Sequence, residues 1–315
     1  MNILLLGGCG YVGTMLTNEL LSIGHKVIVV DTMWFGNYLN DDSNLTVIKA
    51  DIREIDMIPM NDIEAVIHLA NIANDPTGDL NPKLTWEVNV LAGMQLIEKA
   101  INNGVRQFIY ASSGSVYGVS DEPEVTEELP LLPISDYNKT KMISERVFLS
   151  YKDKIKLQIV RPATVCGYSP RMRLDLSVNL LTMQALSKGI ITVFGGNQTR
   201  PNIHIKDLIQ VYIYFLQSSN NIEGIFNAGF ENISIMEIAK TVIKYIPAEL
   251  KKTASNDPRS YRLNSDKLLL TGFKPGYNIE FAIKEIMEKY KSGELLDEEK
   301  YYNVKTMLKL NPTIF

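Results

Sequence analysis

The chain has 315 residues, enough to bury a substantial core in one large domain or two intimate ones. Its 45% hydrophobic and 22% charged content is ordinary for a globular protein, and a net charge of −4 argues against the basic surface that nucleic-acid binding requires. Two cysteines, Cys9 and Cys166, cannot make a disulfide framework, and the apolar run Ile3–Leu6 is too short for a signal peptide or a membrane span, so a cytoplasmic protein with no membrane partner is expected.

Taken in order, Ile3–Leu6, Val27–Val30, Thr46–Ile48, Ala65–Leu69, Gln107–Ala111 and Leu157–Val160 read as buried strands. Between them, Tyr11–Ile23, Pro82–Asn103 and Asp136–Lys152 carry helical periodicity, and Asn102-Asn103-Gly104 supplies a helix stop. Such alternation implies an α/β fold with a Rossmann-type doubly wound parallel sheet. After Cys166 the pattern loosens. Stretches rich in Arg, Pro and Gly (Gly167–Arg173, Gly195–Pro201) are interleaved with helices near Leu174–Lys188, Lys206–Ser218, Ser234–Tyr245 and Ile279–Tyr290. The expected organisation is a dinucleotide-binding domain over 1–165, joined by about 205–229, and a smaller α/β lobe from 166–204 and 230–315. The charged stretch Lys289–Lys300 reads as a solvated helix end or loop.

Gly7-Gly8-Cys9-Gly10-Tyr11-Val12-Gly13 follows the first strand and opens the first helix. Gly7, Gly10 and Gly13 suit a tight turn that lets a pyrophosphate rest on a helix N-terminus; the alternative is a plain strand–helix turn. Asp31 ends the second strand, where a carboxylate accepts from the ribose hydroxyls of an adenosine and repels a 2′-phosphate. No arginine follows in Thr32-Met33-Trp34, so NAD is favoured over NADP. The fifth strand ends in Ala111-Ser112-Ser113-Gly114-Ser115-Val116-Tyr117-Gly118, at the edge where open parallel sheets bind ligands. Tyr137 and Lys141 then stand four apart on a helix, one above the other. A lysine beside a phenol lowers a pKa that starts at about 10, and the tyrosine can then take a proton from a sugar or alcohol hydroxyl. Tyr301 and Lys305 repeat the spacing in what reads as a polar tail.

This order of glycine turn, terminal Asp, Ser-rich strand end and Tyr-x-x-x-Lys helix resembles the extended short-chain dehydrogenase/reductase superfamily, in its NAD-dependent epimerase/dehydratase branch acting on nucleotide sugars. The resemblance implies that Gly7, Gly10, Tyr11, Val12 and Gly13 hold the pyrophosphate and Asp31 the adenosine ribose. It places Asp51 and Ile52 beside adenine and Leu69 and Ala70 along the cofactor path. Asn89 matches a structural asparagine among the cofactor-binding residues, with a helix-surface amide as the alternative. Ser113, Tyr137 and Lys141 match the catalytic residues; Tyr137 is the base, and Lys141 holds the nicotinamide ribose and lowers the tyrosine pKa. For the substrate, a nucleotide-diphosphate sugar, the resemblance offers Ser113, Ser115, Asn179, Arg200 and Arg259, with Arg171, Arg173 and Arg262 as possible members of the same basic patch. His204 and Asp207 fit the run that follows Arg200. His68 reads as a satisfied core histidine, Cys166 as a buried small residue, and no metal is expected. A homodimer through the Pro82–Asn103 and Asp136–Lys152 helices is implied; Met94, Leu96, Met142 and Val147 either contribute its apolar stripe or face the sheet.

Gly114 and Ser115 occupy the positions where dehydratases carry an acid pair, so elimination of water is not expected. What remains is C4 oxidation to a 4-keto sugar, with 4-epimerisation as the leading outcome. Release of the keto sugar by a C4 dehydrogenase, decarboxylation of a nucleotide-uronic acid, and a non-catalytic NAD sensor stand as alternatives.

Overall fold

A computed structural model describes residues 1–120, 122–218, 222–254 and 260–310. Arg259, expected at the substrate diphosphate, lies outside the described residues. The first half runs through β1 (Asn2–Leu6), α1 (Tyr11–Ser22), β2 (Lys26–Asp31), β3 (Leu45–Lys49), β4 (Ala65–His68), α2 (Asp75–Gly78), α3 (Pro82–Trp86), α4 (Gly93–Asn102), β5 (Gln107–Ala111), α5 (Asp136–Leu149) and β6 (Lys156–Pro162). Then come β7 (Thr164–Cys166), α6 (Ser177–Lys188), β8 (Ile190–Phe194), β9 (Thr199–His204), α7 (Ile205–Gln217), β10 (Gly224–Ala228), β11 (Glu231–Ser234), α8 (Ile235–Tyr245), β12 (Glu249–Thr253), α9 (Asp266–Leu270), α10 (Ile279–Lys291) and α11 (Asn303–Met307).

Seven parallel strands form the main sheet in the order β10-β6-β5-β4-β1-β2-β3, the doubly wound arrangement expected from the strand–helix alternation. Period-2 alternation divides β1 between two cores: Ile3 and Leu5 pack with Leu16 and Leu20 of α1 and Phe215 of α7, whereas Leu4 and Leu6 pack with Leu96 of α4 and Phe148 of α5. The strand order reverses between β1 and β4, which opens a crevice at their carboxyl ends. After β7 the chain leaves for α6, β8 and β9, then returns through α7 and β10 to the edge of the main sheet beside β6. Helices α6, α8 and α10 close a separate small core around Leu181, Ile238 and Ile283.

Two expectations about the periphery need correction. The Pro82–Asn103 helix is not uniform: residues 87–92 form a π-turn between α3 and α4. The C-terminal segment is not a polar tail, because Leu295, Tyr301 and Met307 are buried while the charged residues between them face outward. Of the candidate dimer residues, Leu96 is fully buried and faces the sheet, and Met142 packs against the core. Among the described residues no helix is long and apolar enough to cross a membrane.

Candidate active site

The crevice is a cavity of about 660 Å3, lined by both halves of the molecule. At one end lies the glycine turn. Gly7 has φ +85°, and a Cβ there would sit 2.6 Å from the backbone nitrogen of Ala70; a Cβ on Gly13 would run into the Gly7 carbonyl. Two strands and a helix therefore approach closely only because these side chains are missing. Gly10 precedes α1 without a side-chain cap, so the helix N-terminus keeps amides for an anion. Asp31 accepts from the Cys9 amide at 3.0 Å and the Met33 amide at 2.7 Å, one with each oxygen, which orients the carboxylate and leaves further lone pairs toward the cavity. Tyr11, Val12, Asp51, Ile52, Leu69 and Ala70 line the same space. Together these residues fit NAD: a turn shaped for close approach, a helix N-terminus for the pyrophosphate, and a carboxylate for the ribose.

The other end holds the chemistry. Ser135 caps α5 by accepting from the Asn138 amide at 3.1 Å, so the helix begins with Tyr137 facing the cavity. The Ser113 hydroxyl lies beside the Tyr137 phenol on the cavity wall, close enough to favour its ionised form. Ser113 and Ser115 hydroxyls are 2.7 Å apart, and Ser115 donates to the Asn138 side-chain oxygen at 2.6 Å. Since that chain ends in an acceptor, Ser115 spends its proton there and its oxygen is left to accept from Ser113. Lys141 donates to the Ala111 carbonyl at 2.7 Å and lies 4.9 Å over the Tyr110 ring. Burial pushes the Tyr137 phenol up to about 12, offset in part by Ser113 and by Arg173. Burial likewise lowers Lys141 to about 7. The expectation that Lys141 pulls the tyrosine down is thus reversed in the protein alone: both groups lose solvation, and the dry site penalises both charges.

Asn89 is not a surface amide. It sits fully buried in the π-turn, accepts from the Ile72 amide at 2.8 Å, and donates to the Ile72 carbonyl and the Thr140 hydroxyl. It ties the loop after β4 to α5 without lining the cavity. Glu145, four residues beyond Lys141, is a residue that sequence reasoning missed. It accepts from the Ser112 hydroxyl and from two nitrogens of Arg161, at 2.9 and 2.7 Å, in a fully buried ion pair. Arg161 also donates to the Tyr117 hydroxyl at 2.7 Å, which in turn donates to Asn227. The i, i+4 relation of Lys141 to Glu145 was the available signal; the long reach to Arg161 was not.

From the second half of the chain, Arg200 lines the cavity, as do Arg171, Arg173 and Asp175. Arg173 grips Asp175 with two bonds, at 2.9 and 3.1 Å. Asn179 does not line the cavity: it is buried, accepts from the Gly167 amide and donates to the Tyr11 hydroxyl and the Arg173 carbonyl. Arg262 is exposed and does not line the cavity either. His204 stacks on Tyr277, and Asp207 accepts from the amides of Gly276 and Tyr277, so both brace the second lobe. His68 is buried among Phe108, Tyr110 and Phe148, and burial lowers it to about 3. Neither of its ring nitrogens has a partner, so it is a core histidine but not the satisfied one expected. Cys166 is buried in the small core, its thiol pushed far up by burial.

A crevice at the sheet's switch point, a glycine turn against a helix N-terminus and a Tyr–Lys pair at the adjoining strand end define a dinucleotide-dependent enzyme of the short-chain dehydrogenase/reductase type. The sequence model described as "NAD dependent epimerase/dehydratase family" matches residues 3–229, and the chain belongs to that family. Its cofactor is NAD. A UDP-glucose 4-epimerase of Lactobacillus helveticus is 28% identical, over 93% of this chain and 98% of its own. UDP-glucuronic acid decarboxylase 1 of Danio rerio is also 28% identical, over 93% of this chain and 73% of its own. Among solved structures, UDP-glucose 4-epimerase from Thermotoga maritima with UDP-glucose superposes with a TM-score of 0.83 at 25% identity, covering 94% of this chain and all of that one. UDP-glucuronic acid 4-epimerase from Bacillus cereus, in complex with UDP-glucuronic acid and NAD, superposes with a TM-score of 0.79 at 26% identity, covering 93% and 99%.

Proposed function

We propose that the protein is a nucleotide-sugar 4-epimerase with UDP-hexoses as its substrates. The observation that carries this reading is that Ser113, Tyr137 and Lys141 line one cavity wall, with Gly114 and Ser115 beside them and no carboxylic acid at those positions. NAD, held by the glycine turn and Asp31, would supply the hydride acceptor and donor for the sugar carbon. Tyr137 takes the proton of the sugar C4 hydroxyl, Ser113 bonds the same oxygen, and Lys141 holds the cofactor side of the site and supplies positive charge once the phenol ionises. The 4-keto sugar then turns over and receives hydride on its other face, and Tyr137 gives the proton back. Elimination of water needs an acid and a base flanking C5 and C6, and the β5 edge supplies hydroxyls instead.

Residues 166–204 and 230–315 form the sugar-nucleotide lobe in this reading, with Arg200 and the Arg173–Asp175 pair facing the substrate; the names of relatives that act on UDP-sugars support the choice of nucleotide. The test is incubation of the purified protein with UDP-glucose and UDP-galactose, followed by chromatography of the sugars and absorbance of the cofactor at equilibrium. Interconversion with no net NADH is the expected result. Accumulation of a keto sugar with stoichiometric NADH would replace epimerase by dehydrogenase, and loss of carbon dioxide from UDP-glucuronic acid would replace it by decarboxylase.

A further inference from the structure

Arg171 sits in an unusual place for a charged group. It is 2% exposed, belongs to the second half of the chain, and lines the cavity together with the α1 N-terminus and Asp31. Its guanidinium lies 4.0 Å over the Phe35 ring in the loop after β2. It donates to the Asn303 side-chain oxygen at 2.6 Å and to the Met172 carbonyl at 3.3 Å. Both acceptors are neutral, and among the described residues no carboxylate ion-pairs with it. The neighbouring Arg173, by contrast, is paired directly with Asp175. Burying a guanidinium with no carboxylate bonded to it is costly, and burial together with the like charge of Arg173 pulls Arg171 down to about 9 against the opposing pull of Asp175 and Asp31.

Its support comes from the C-terminal segment. Asn303 opens α11, is itself buried, and lines the cavity. The Asn303 amide donates to Asp175 at 3.4 Å, and the Leu174 amide donates to the Tyr301 carbonyl at 2.9 Å, which fastens the segment to the 171–175 turn. Met307 anchors it in the core beneath the main sheet.

We propose that Arg171 binds the diphosphate of NAD opposite the α1 N-terminus, and that the C-terminal segment, acting through Asn303, straps the cofactor in place. The anion's charge is then shared between helix amides from one half of the molecule and a guanidinium from the other. A cofactor held from both sides leaves slowly, which suits a reaction whose hydride must return to the same molecule. The inference rests on the cavity being the NAD site, not on the choice between epimerase and dehydrogenase.

The experiment measures NAD and UDP affinity by calorimetry on cofactor-free protein, NAD dissociation by stopped flow, and folding by circular dichroism. Arg171→Met is expected to weaken NAD about 10- to 100-fold, chiefly through faster dissociation, with UDP affinity unchanged. Asn303→Asp, which gives Arg171 an internal carboxylate while keeping the side chain's shape, is expected to weaken NAD about tenfold without loss of helical signal. Equal NAD affinity in wild type and both folded variants would overturn the inference alone. Weakened UDP with unchanged NAD would reassign Arg171 to the substrate diphosphate and overturn it as well. Failure of the wild type to bind NAD would overturn the NAD reading of the cavity, and the inference with it.

Discussion

The chain contains the Tyr-x-x-x-Lys spacing twice, and the two copies share almost nothing but the spacing. Tyr137 and Lys141 lie on one helix, the tyrosine half-buried at the cavity and the lysine buried behind it, with the lysine nitrogen 5.8 Å from the tyrosine ring centre and bonded to the end of β5. Tyr301 precedes α11 in a separate turn, so it does not stack over Lys305. Lys305 is exposed and reaches instead over the Tyr302 ring, at 4.4 Å. The Tyr301 side chain is buried against the core, and its carbonyl fastens the 171–175 turn. The comparison teaches that four-residue spacing gives chemistry only when one continuous helix enforces it and a cavity receives it. Elsewhere the same residues are packing and solvation.

The sharpest test of that contrast is a pair of deletions of one hydroxyl. Tyr137→Phe should lower kcat by about 10³-fold, the scale of a positioned acid–base group, while Tyr301→Phe changes kcat less than about twofold; steady-state epimerisation rates decide it. Next in size, Lys141→Met should cost about 10²-fold in kcat, and it should also alter how stability depends on pH. The folded-state value of about 7 lies below the unfolded value of 10.5, so between them the unfolded chain binds more protons than the folded one. Stability of the cofactor-free protein therefore rises with pH through that window, by no more than about 2 to 4 °C in Tm per pH unit. Lys141→Met should remove this contribution, while the exposed Lys305→Met leaves the profile unchanged; calorimetric scans from pH 6.5 to 10 compare the three proteins.

Asn89→Ala should destabilise the fold by about 2 kcal/mol, because it strands the buried Ile72 amide and carbonyl, and the loss is read from denaturant midpoints. If Asn89 instead lay on the helix surface, the change would be within about 0.5 kcal/mol. Ser115→Ala is the smallest expected effect. Ser113 loses the acceptor for its proton, and kcat should fall about three- to tenfold with KM little changed, a loss of about 1 kcal/mol of orientation.

Much of the first half was legible from residues alone because its signals are local. A strand buried on both faces must be a continuous apolar run, as in Ile3–Leu6 or Gln107–Ala111, and a tight strand–helix turn must be glycine. The cavity accordingly received Gly7, Gly10, Gly13, Asp31, Ser113, Tyr137 and Lys141 from positions the sequence had marked. The misses have a different character. Asn179 turned inward to Tyr11 and Gly167, 168 and 12 residues distant in sequence, and Glu145 found Arg161 on the neighbouring strand. The 299–310 segment read as polar because its charged residues outnumber its anchors Tyr301 and Met307, yet those two apolar side chains decide where it lies.

The sequence by itself therefore determined the parallel sheet, the dinucleotide turn and the order of the residues that line the cavity, since each depends on periodicity or on a residue type at short spacing. Tertiary structure alone decided which charges are paired and which are stranded. It reversed the shift at Tyr137, gave Arg173 a carboxylate and left Arg171 without one, because desolvation and counter-ions are properties of what folds against a group rather than of what precedes it in the chain.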